Sequence, residues 1–420
     1  MDLSGREVIK EATAVAADVA LAGNLKPDLT QAQTMDARYD LLLKGGKFID
    51  PASGRSGPLD VAFKGEKVGA IEPSIDPGLA KRVESVAGAM VVPGVIDMHV
   101  HAVDGIGEAA NPDRIGVNRG VTTLGDGGTC GAGNFGVFKY VTAANKTRLL
   151  AWLNLSTIGQ TDLRAGELIL GNLMIVEDLV KVAKSNPDTI VDLKGRLSTY
   201  VTGGASALWP LKLLQEASKE TNLPVMVHVG DTRELLGEIL DLLRPGDVCT
   251  HYLTSRKNNI LGVQAYPGGK LIPQIFEARK RGVILDVARG RNHVGFPQMQ
   301  ATVEAGLLPD TISTDLTHPS SANLYYSPMM IATQFMSFGV PFEECLKQMT
   351  ANPAKVMRRP ELGKLEVGGI GDATLLKFEE GDFTLSDVDG RTRKTNKRIV
   401  AVGVVRAGSF LGITPLLTPR

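Results

Sequence analysis

Residues 91–101 read Val91-Val92-Pro93-Gly94-Val95-Ile96-Asp97-Met98-His99-Val100-His101. The apolar run from Val95 has strand composition, Pro93 and Gly94 punctuate its start, and two histidines stand at its end. Successive side chains of a strand point to opposite faces, so His99 and His101 project to the same side. Two imidazoles on one side of a strand end are what a divalent metal ion requires of its first two protein ligands.

Working outward, the pattern repeats. Apolar runs ending in polar residues occur at about 95–101, 120–126, 149–155, 189–194, 224–228, 247–251, 282–287 and 311–315. Between them lie segments with helical spacing, such as ALWPLKLLQEASKE at 207–220 and TRELLGEILDLLRP at 232–245. Strands alternating with helices pair in parallel, and eight such units over about 250 residues match an α/β fold, the (β/α)8 barrel of the TIM type. Reactive groups of such a barrel sit at the C-terminal ends of its strands. His99 and His101, Lys194, His228, His251 and Asp315 lie at or near the ends of runs one, four, five, six and eight, so the barrel would gather them at one mouth.

The barrel is expected over 93–359. On either side, LLLKGGKFID (41–50), VAFKGEKVGAIE (61–72), GDATLLKFE (371–379) and RIVAVGVVRAG (398–408) read as short strands broken by Gly and Pro. These predict one small β-sandwich domain assembled from 38–92 plus 360–415. Residues 1–37 read as a helical extension, with an Ala/Val-rich helix from Arg6 to Leu21 and then polar linker.

Composition narrows the partners. The chain has 420 residues, 43% of them hydrophobic, which suits a globular protein with a barrel-sized core. Its 46 basic and 46 acidic residues cancel, and RTRKTNKR at 391–398 reads as a solvated turn, so nucleic acid is not an expected partner. Cys130, Cys249 and Cys345 show no C-x-x-C spacing, which argues against a disulfide framework or a thiolate zinc site and fits a reducing cytoplasm. No run approaches the roughly 18 apolar residues of a membrane span. The start, MDLSGREVIKE, is too polar for a signal peptide. The expectation is a cytoplasmic protein acting on a small molecule, without a membrane partner.

Several candidates have two readings. Lys194, in IVDLKGR, would be costly as an unpaired ammonium among apolar residues. It either pairs with Asp192, of the same strand parity, or is carboxylated by carbon dioxide to a carbamate able to bridge two metals. Asp315, in TISTDLTH, is either a helix N-cap or the last metal ligand and proton carrier. Arg289, in DVARGRNHVGF, either binds a substrate carboxylate through a planar two-point contact or pairs with Asp286 or Asp315. Arg196, on the same strand face as Lys194, is a second anion-binding or structural candidate. His318 either orients the loop bearing Asp315 or lies exposed. Glycines 125, 127, 128, 131 and 133 suggest a loop whose backbone closely approaches the site.

Taken together, PGVIDMHVH, LKGRLS, VMVHVGD, CTHYLT and ISTDLTH resemble the amidohydrolase superfamily, in its binuclear branch with dihydroorotases and hydantoinases. GVTTLGDGGTCGAGNF, LKGRLSTYVTG and PGDVCTH are similar, more narrowly, to its amidohydrolase/deacetylase group. The resemblance covers about residues 39–407. It implies two divalent ions, with His99, His101 and Asp315 on the more buried one, His228 and His251 on the second, and carboxylated Lys194 bridging them. Zinc suits such ligands best, while Mn, Fe and Co are accommodated. A hydroxide shared by the ions would attack a carbonyl, with Asp315 carrying the proton to the leaving group. Two divalent ions less the charges of carbamate, Asp315 and hydroxide leave about +1, which favours an anionic substrate.

Relatives in the deacetylase group commonly carry a His-Gly pair where this chain has Arg289-Gly290, and His293 is the candidate to replace that histidine at the substrate. The implied function is metal-dependent hydrolysis of an acyclic amide or ester, of the N-acyl amino acid or O-acyl hydroxy acid type. The alternative is ring opening of a cyclic amide or imide. Some relatives have lost their ligands and act as scaffolds, but all six ligand positions are present here. Related enzymes are often dimers or larger, so a homo-oligomer is expected.

Overall fold

The computed structural model describes residues 37–162, 164, 166–262, 270–323 and 326–413. The helix expected from Arg6 to Leu21 lies outside the described residues.

Among the described residues, seven short strands precede the barrel: β1 (Tyr39–Lys44), β2 (Lys47–Asp50), β3 (Arg55–Pro58), β4 (Asp60–Lys64), β5 (Lys67–Glu72), β6 (Ala80–Ser85) and β7 (Met90–Pro93). The seven barrel strands follow: β8 (Val95–Val100), β9 (Val121–Asp126), β10 (Arg148–Asn154), β11 (Ile190–Arg196), β12 (Val225–His228), β13 (Val248–Thr250) and β14 (Ile284–Asp286). Three further strands follow the barrel among the described residues: β15 (Ala373–Ser386), β16 (Thr392–Arg406) and β17 (Ser409–Leu411).

The terminal strands form two sheets, one ordered β5-β4-β1-β6 and the other β17-β16-β15-β7-β2-β3. N- and C-terminal segments therefore share the second sheet, β15 pairing antiparallel with β7. Leu41, Leu43, Val61 and Phe63 of the first sheet and Phe48, Val91, Leu375 and Val405 of the second form one buried cluster. The basic stretch at 391–398 is not a turn. It lies almost wholly in β16, with Leu385 opposite Arg393 and Glu380 opposite Lys397, because the reversal comes earlier, where Asp387 N–H bonds Arg391 O at 3.0 Å. The basic side chains lie along a largely solvent-exposed arm instead.

The barrel strands run parallel in the order β14-β13-β12-β11-β10-β9-β8, as their alternation with helices predicts. The periodic segments at 207–220 and 232–245 supply helices Leu208–Thr221 and Leu236–Leu242. The eighth run is not a regular strand. It bridges Thr311 to Asp286 on one edge and Leu316 to Val100 on the other. Arg289 N–H donates to Ser313 O (3.2 Å), and His101 N–H to Leu316 O (2.9 Å), so the segment spans the gap between β14 and β8. Regular pairing fails there because Asp315 has φ +51°, in the left-handed region that breaks an extended ladder.

Beneath the mouth, Ile96, Met98, Leu150, Trp152, Met226 and Val248 pack with Ala354, Met357 and Leu362 into an apolar floor. The indole Nε1–H of Trp152 is satisfied by Met98 O at 2.8 Å. Among the described residues no helix is long and apolar enough to cross a membrane.

Candidate metal centre

The strand ends gather two clusters. In the first, His99, His101 and Asp315 each offer an atom, all within 4.8 Å of one another. Asp315 Oδ1 lies 3.3 Å from His101 Nε2 and 3.7 Å from His99 Nε2. Thr250 Oγ1 donates to Asp286 Oδ2 at 2.7 Å, so at 2.8 Å it accepts from His99 Nδ1–H. This fixes the tautomer and leaves the His99 Nε2 lone pair facing the site. His101 Nδ1 lies 2.9 Å from Thr129 Oγ1. Asp97 ties β8 to the eighth segment, its Oδ1 accepting from Thr314 N–H at 3.0 Å and its Oδ2 from Thr314 Oγ1 at 2.5 Å.

The second cluster is His228, His251 and His293, again with ligand atoms within 4.8 Å of one another. His251 Nδ1 donates to Ala288 O at 2.6 Å, leaving Nε2 toward the pocket. His251 has φ +67° and Asp315 φ +51°. Such conformations persist in non-glycine residues only when the surroundings over-determine them, and they concentrate at functional sites.

Lys194 is fully buried beside the first cluster, its Nζ 2.9 Å from His99 Nε2 and 3.3 Å from Met226 Sδ, and near enough to His228 and His251 to weaken their basicity. Asp192 is not its partner. That carboxylate lies at the barrel floor, 3.8 Å from Arg358 Nε. The glycine-rich loop after β9 does approach the site. A Cβ on Gly127 would stand 2.4 Å from His99 Cδ2, and one on Gly128, at φ +90°, 2.7 Å from Lys194 Cγ. Only glycine leaves room for both side chains.

Electrostatics favour metal ligation. Burial, reinforced by neighbouring cationic groups, pushes His99, His228 and His251 well below the usual imidazole range, so all three are neutral donors. Burial takes His293 down to about 4 and Lys194 down to about 7, in both cases against the opposing pull of Asp315. His228 Nε2 and His251 Nε2 are buried without any hydrogen-bond partner among the described residues. Orphaned buried nitrogens are rare in folded proteins, and two converging on one pocket fit a cation that accepts their lone pairs.

The other candidates fall outside the clusters. Arg196 is clamped by Glu167, Nε to Oε1 at 2.5 Å and Nη2 to Oε2 at 2.9 Å, while its Nη1 donates to Tyr200 Oη at 3.1 Å. Arg289 lies over the Tyr326 ring, its carbon Cζ 4.9 Å from the centroid, with long contacts to Gly290 O and Ser386 O. Asp286 is fully engaged by Thr250, Thr311 and Ser313. Asp315 does not cap a helix, since the following short 3-10 turn is capped by Thr317. His318 is exposed.

Sequence reasoning missed Asp97, Thr129, Thr250 and Glu167. The two buried acids Asp97 and Asp286 were readable as charges inside apolar runs, whereas Glu167 sits in a long patternless loop.

A chain with this site matches the model of the amidohydrolase family over residues 90–406. It is 31% identical to a deacetylase of Brucella anthropi, the alignment covering 90% of this chain and 89% of that one. Two solved structures superpose closely. A crystal structure of an adenine deaminase has a TM-score of 0.82 at 29% identity, covering 89% of this chain and all of that one. One of a dihydroorotase has a TM-score of 0.81 at 28% identity, covering 90% and 98%. Fold, ligand clusters and family match converge: the chain belongs to the amidohydrolase family.

Proposed function

We propose that this chain hydrolyses an acyclic amide or ester of a small anionic molecule, of the N-acyl amino acid or O-acyl hydroxy acid type, at a zinc-preferring binuclear centre. The observation that carries the reading is the fully buried Lys194, its Nζ 2.9 Å from His99 Nε2 of one donor cluster and its charge felt by His228 and His251 of the other. An ammonium there would repel any metal. Burial that lowers Lys194 to about 7 leaves much of it as the free amine, the form that adds carbon dioxide to give an anionic carbamate.

The family generally uses binuclear metal centres. Bound divalent ions would lower the pKa of a water toward roughly 7 and polarise the scissile carbonyl. The protein residues account for the rest. His99, His101 and Asp315 would hold one ion, His228 and His251 the other, and carboxylated Lys194 would contribute oxygens to both. Asp315, among the described residues the one carboxylate within 4 Å of all three of His99, His101 and His251, would take a proton and return it to the leaving nitrogen or oxygen. Arg196 is neutralised by its two-point pairing with Glu167 and so supplies no free positive charge to a substrate.

The resemblance in fold extends equally to a deaminase and a dihydroorotase, so it does not choose the reaction. The deacetylase relative favours the acyclic amide over ring opening. All three cysteines are buried free thiols, in keeping with a reducing cytoplasm.

Acid release followed by pH-stat, with zinc and bicarbonate, across N-acyl D- and L-amino acids, O-acyl hydroxy acids and cyclic imides tests the proposal. Turnover of acyclic anionic substrates is expected. Turnover confined to the rings would replace the reading with the cyclic one, and an inert, metal-free protein would remove both.

A further inference from the structure

We infer that His293 is a third imidazole donor to the second ion, so that His228, His251 and His293 hold that ion without needing Lys194. This rests on the binuclear reading above and changes what the second half of the centre is made of.

The three rings are mutual neighbours, with centroids 4.1 Å apart for His228 and His251, 4.1 Å for His251 and His293, and 5.0 Å for His228 and His293. Each has a nitrogen free to face the pocket. His228 Nε2 and His251 Nε2 are the orphaned atoms, and the contact of His293 Nδ1 with Thr254 Oγ1 at 3.2 Å leaves its Nε2. The backbone has made room for the His293 ring. Gly230 and Gly290 both have positive φ, and a Cβ on either would stand 2.8 Å from His293 Cε1 or 3.0 Å from its Cδ2. Gly290 also gives way to Asp315, where a Cβ would meet Oδ2 at 2.6 Å, so one glycine seats both His293 and the carboxylate between the clusters.

The chemistry follows from the donor count. Two neutral imidazoles hold a divalent ion weakly unless an anion completes the set. Three imidazoles with one open position form the ligand set of a catalytic zinc site. An ion on this triad would keep its place when the bridging anion is missing.

The test uses the cobalt-reconstituted protein, with cobalt per chain, retention against a competing chelator, and the visible absorption spectrum as readouts. Wild type is expected to hold two ions. Lys194→Ala should still hold the second ion, and Lys194→Ala/His293→Ala should lose it, keeping at most the first. In the otherwise wild-type chain, His293→Gln should weaken retention of the second ion by at least about 100-fold and alter its spectrum, while the first ion stays. Thr254→Val, which removes the contact at Nδ1, should weaken the second ion by roughly 10-fold, as loss of a supporting hydrogen bond does. Should the double variant fail to fold, His293→Gln and Thr254→Val decide. Unchanged cobalt affinity and spectrum in His293→Gln, with only KM raised, would make His293 a substrate contact and overturn the inference while leaving the binuclear reading intact. A wild-type protein that binds no cobalt would remove both together.

Discussion

The two halves of the centre are built differently. His99 and His101 come off the end of one strand and are oriented by buried side chains, through Thr250 to Asp286 and through Thr129. Their cluster contains a carboxylate, Asp315. His251 is instead oriented by a backbone carbonyl, Ala288 O, and His293 by a loop threonine, and that cluster contains no anion. The first half is thus a charged site fixed by a hydrogen-bond network. The second is a neutral site fixed by backbone conformation, including the left-handed His251, Ala288 and Gly290. Lys194, reaching in from β11, stands where one anion could serve both.

The contrast can be broken at several points. The largest effect is expected for Asp315→Asn, which should lower kcat by roughly 10²- to 10⁴-fold, the usual weight of a general acid–base, while most metal is retained. Wild-type turnover of this variant in the pH-stat would remove Asp315 from proton transfer. Next comes Asp286→Asn, which leaves the metal ligands untouched but disturbs the chain that orients His99. Metal titration should show about 10- to 100-fold weaker binding at the first half only; equal weakening of both ions would mean the halves are not independent.

Gly128→Ala should strain the loop against Lys194 by about 1–3 kcal/mol, given its φ of +90° and the 2.7 Å approach. A lowered Tm is expected, together with slower recovery of activity on adding bicarbonate. The smallest effect sits outside the centre. Burial tends to raise the pKa of Asp60, but the N–H groups of Ile75 and Gly45 and the Lys44 ammonium outweigh it and hold the carboxyl below its ordinary 3.8. A depressed carboxylate pKa adds stability above the unfolded value, and that stability is lost as pH falls through the folded one. Asp60→Asn should therefore lower stability by about 1 kcal/mol near neutral pH. Its deficit should shrink in melts run below 3.8, with metal binding unaltered.

The difference between the halves also explains what could be read from sequence. The barrel was legible because each strand ends in a polar residue after an apolar run, and that signal carried His99, His101, Lys194, His228, His251 and Asp315 together. The eighth element misled only in its regularity, since the left-handed turn at Asp315 leaves no mark in composition. The first half's supports were half visible, as Asp97 and Asp286 are acids inside apolar runs. The second half's were hidden. The place of His293 beside His228 and His251 depends on a loop held by Gly230 and Gly290, and no periodicity predicts where a loop folds back. Arg196 looked like an anion-binding residue because its partner, Glu167, lies 29 positions away in a loop without pattern.

The proposed bridge can be observed without a substrate. Metal-depleted protein reconstituted with zinc and ¹³C-bicarbonate should show one carbamate carbon resonance per chain by NMR, appearing together with the second equivalent of metal and absent from Lys194→Ala. Full metal content and full turnover in carbon dioxide-free buffer, with no such resonance, would contradict the proposal that an anion made on Lys194 joins the two halves.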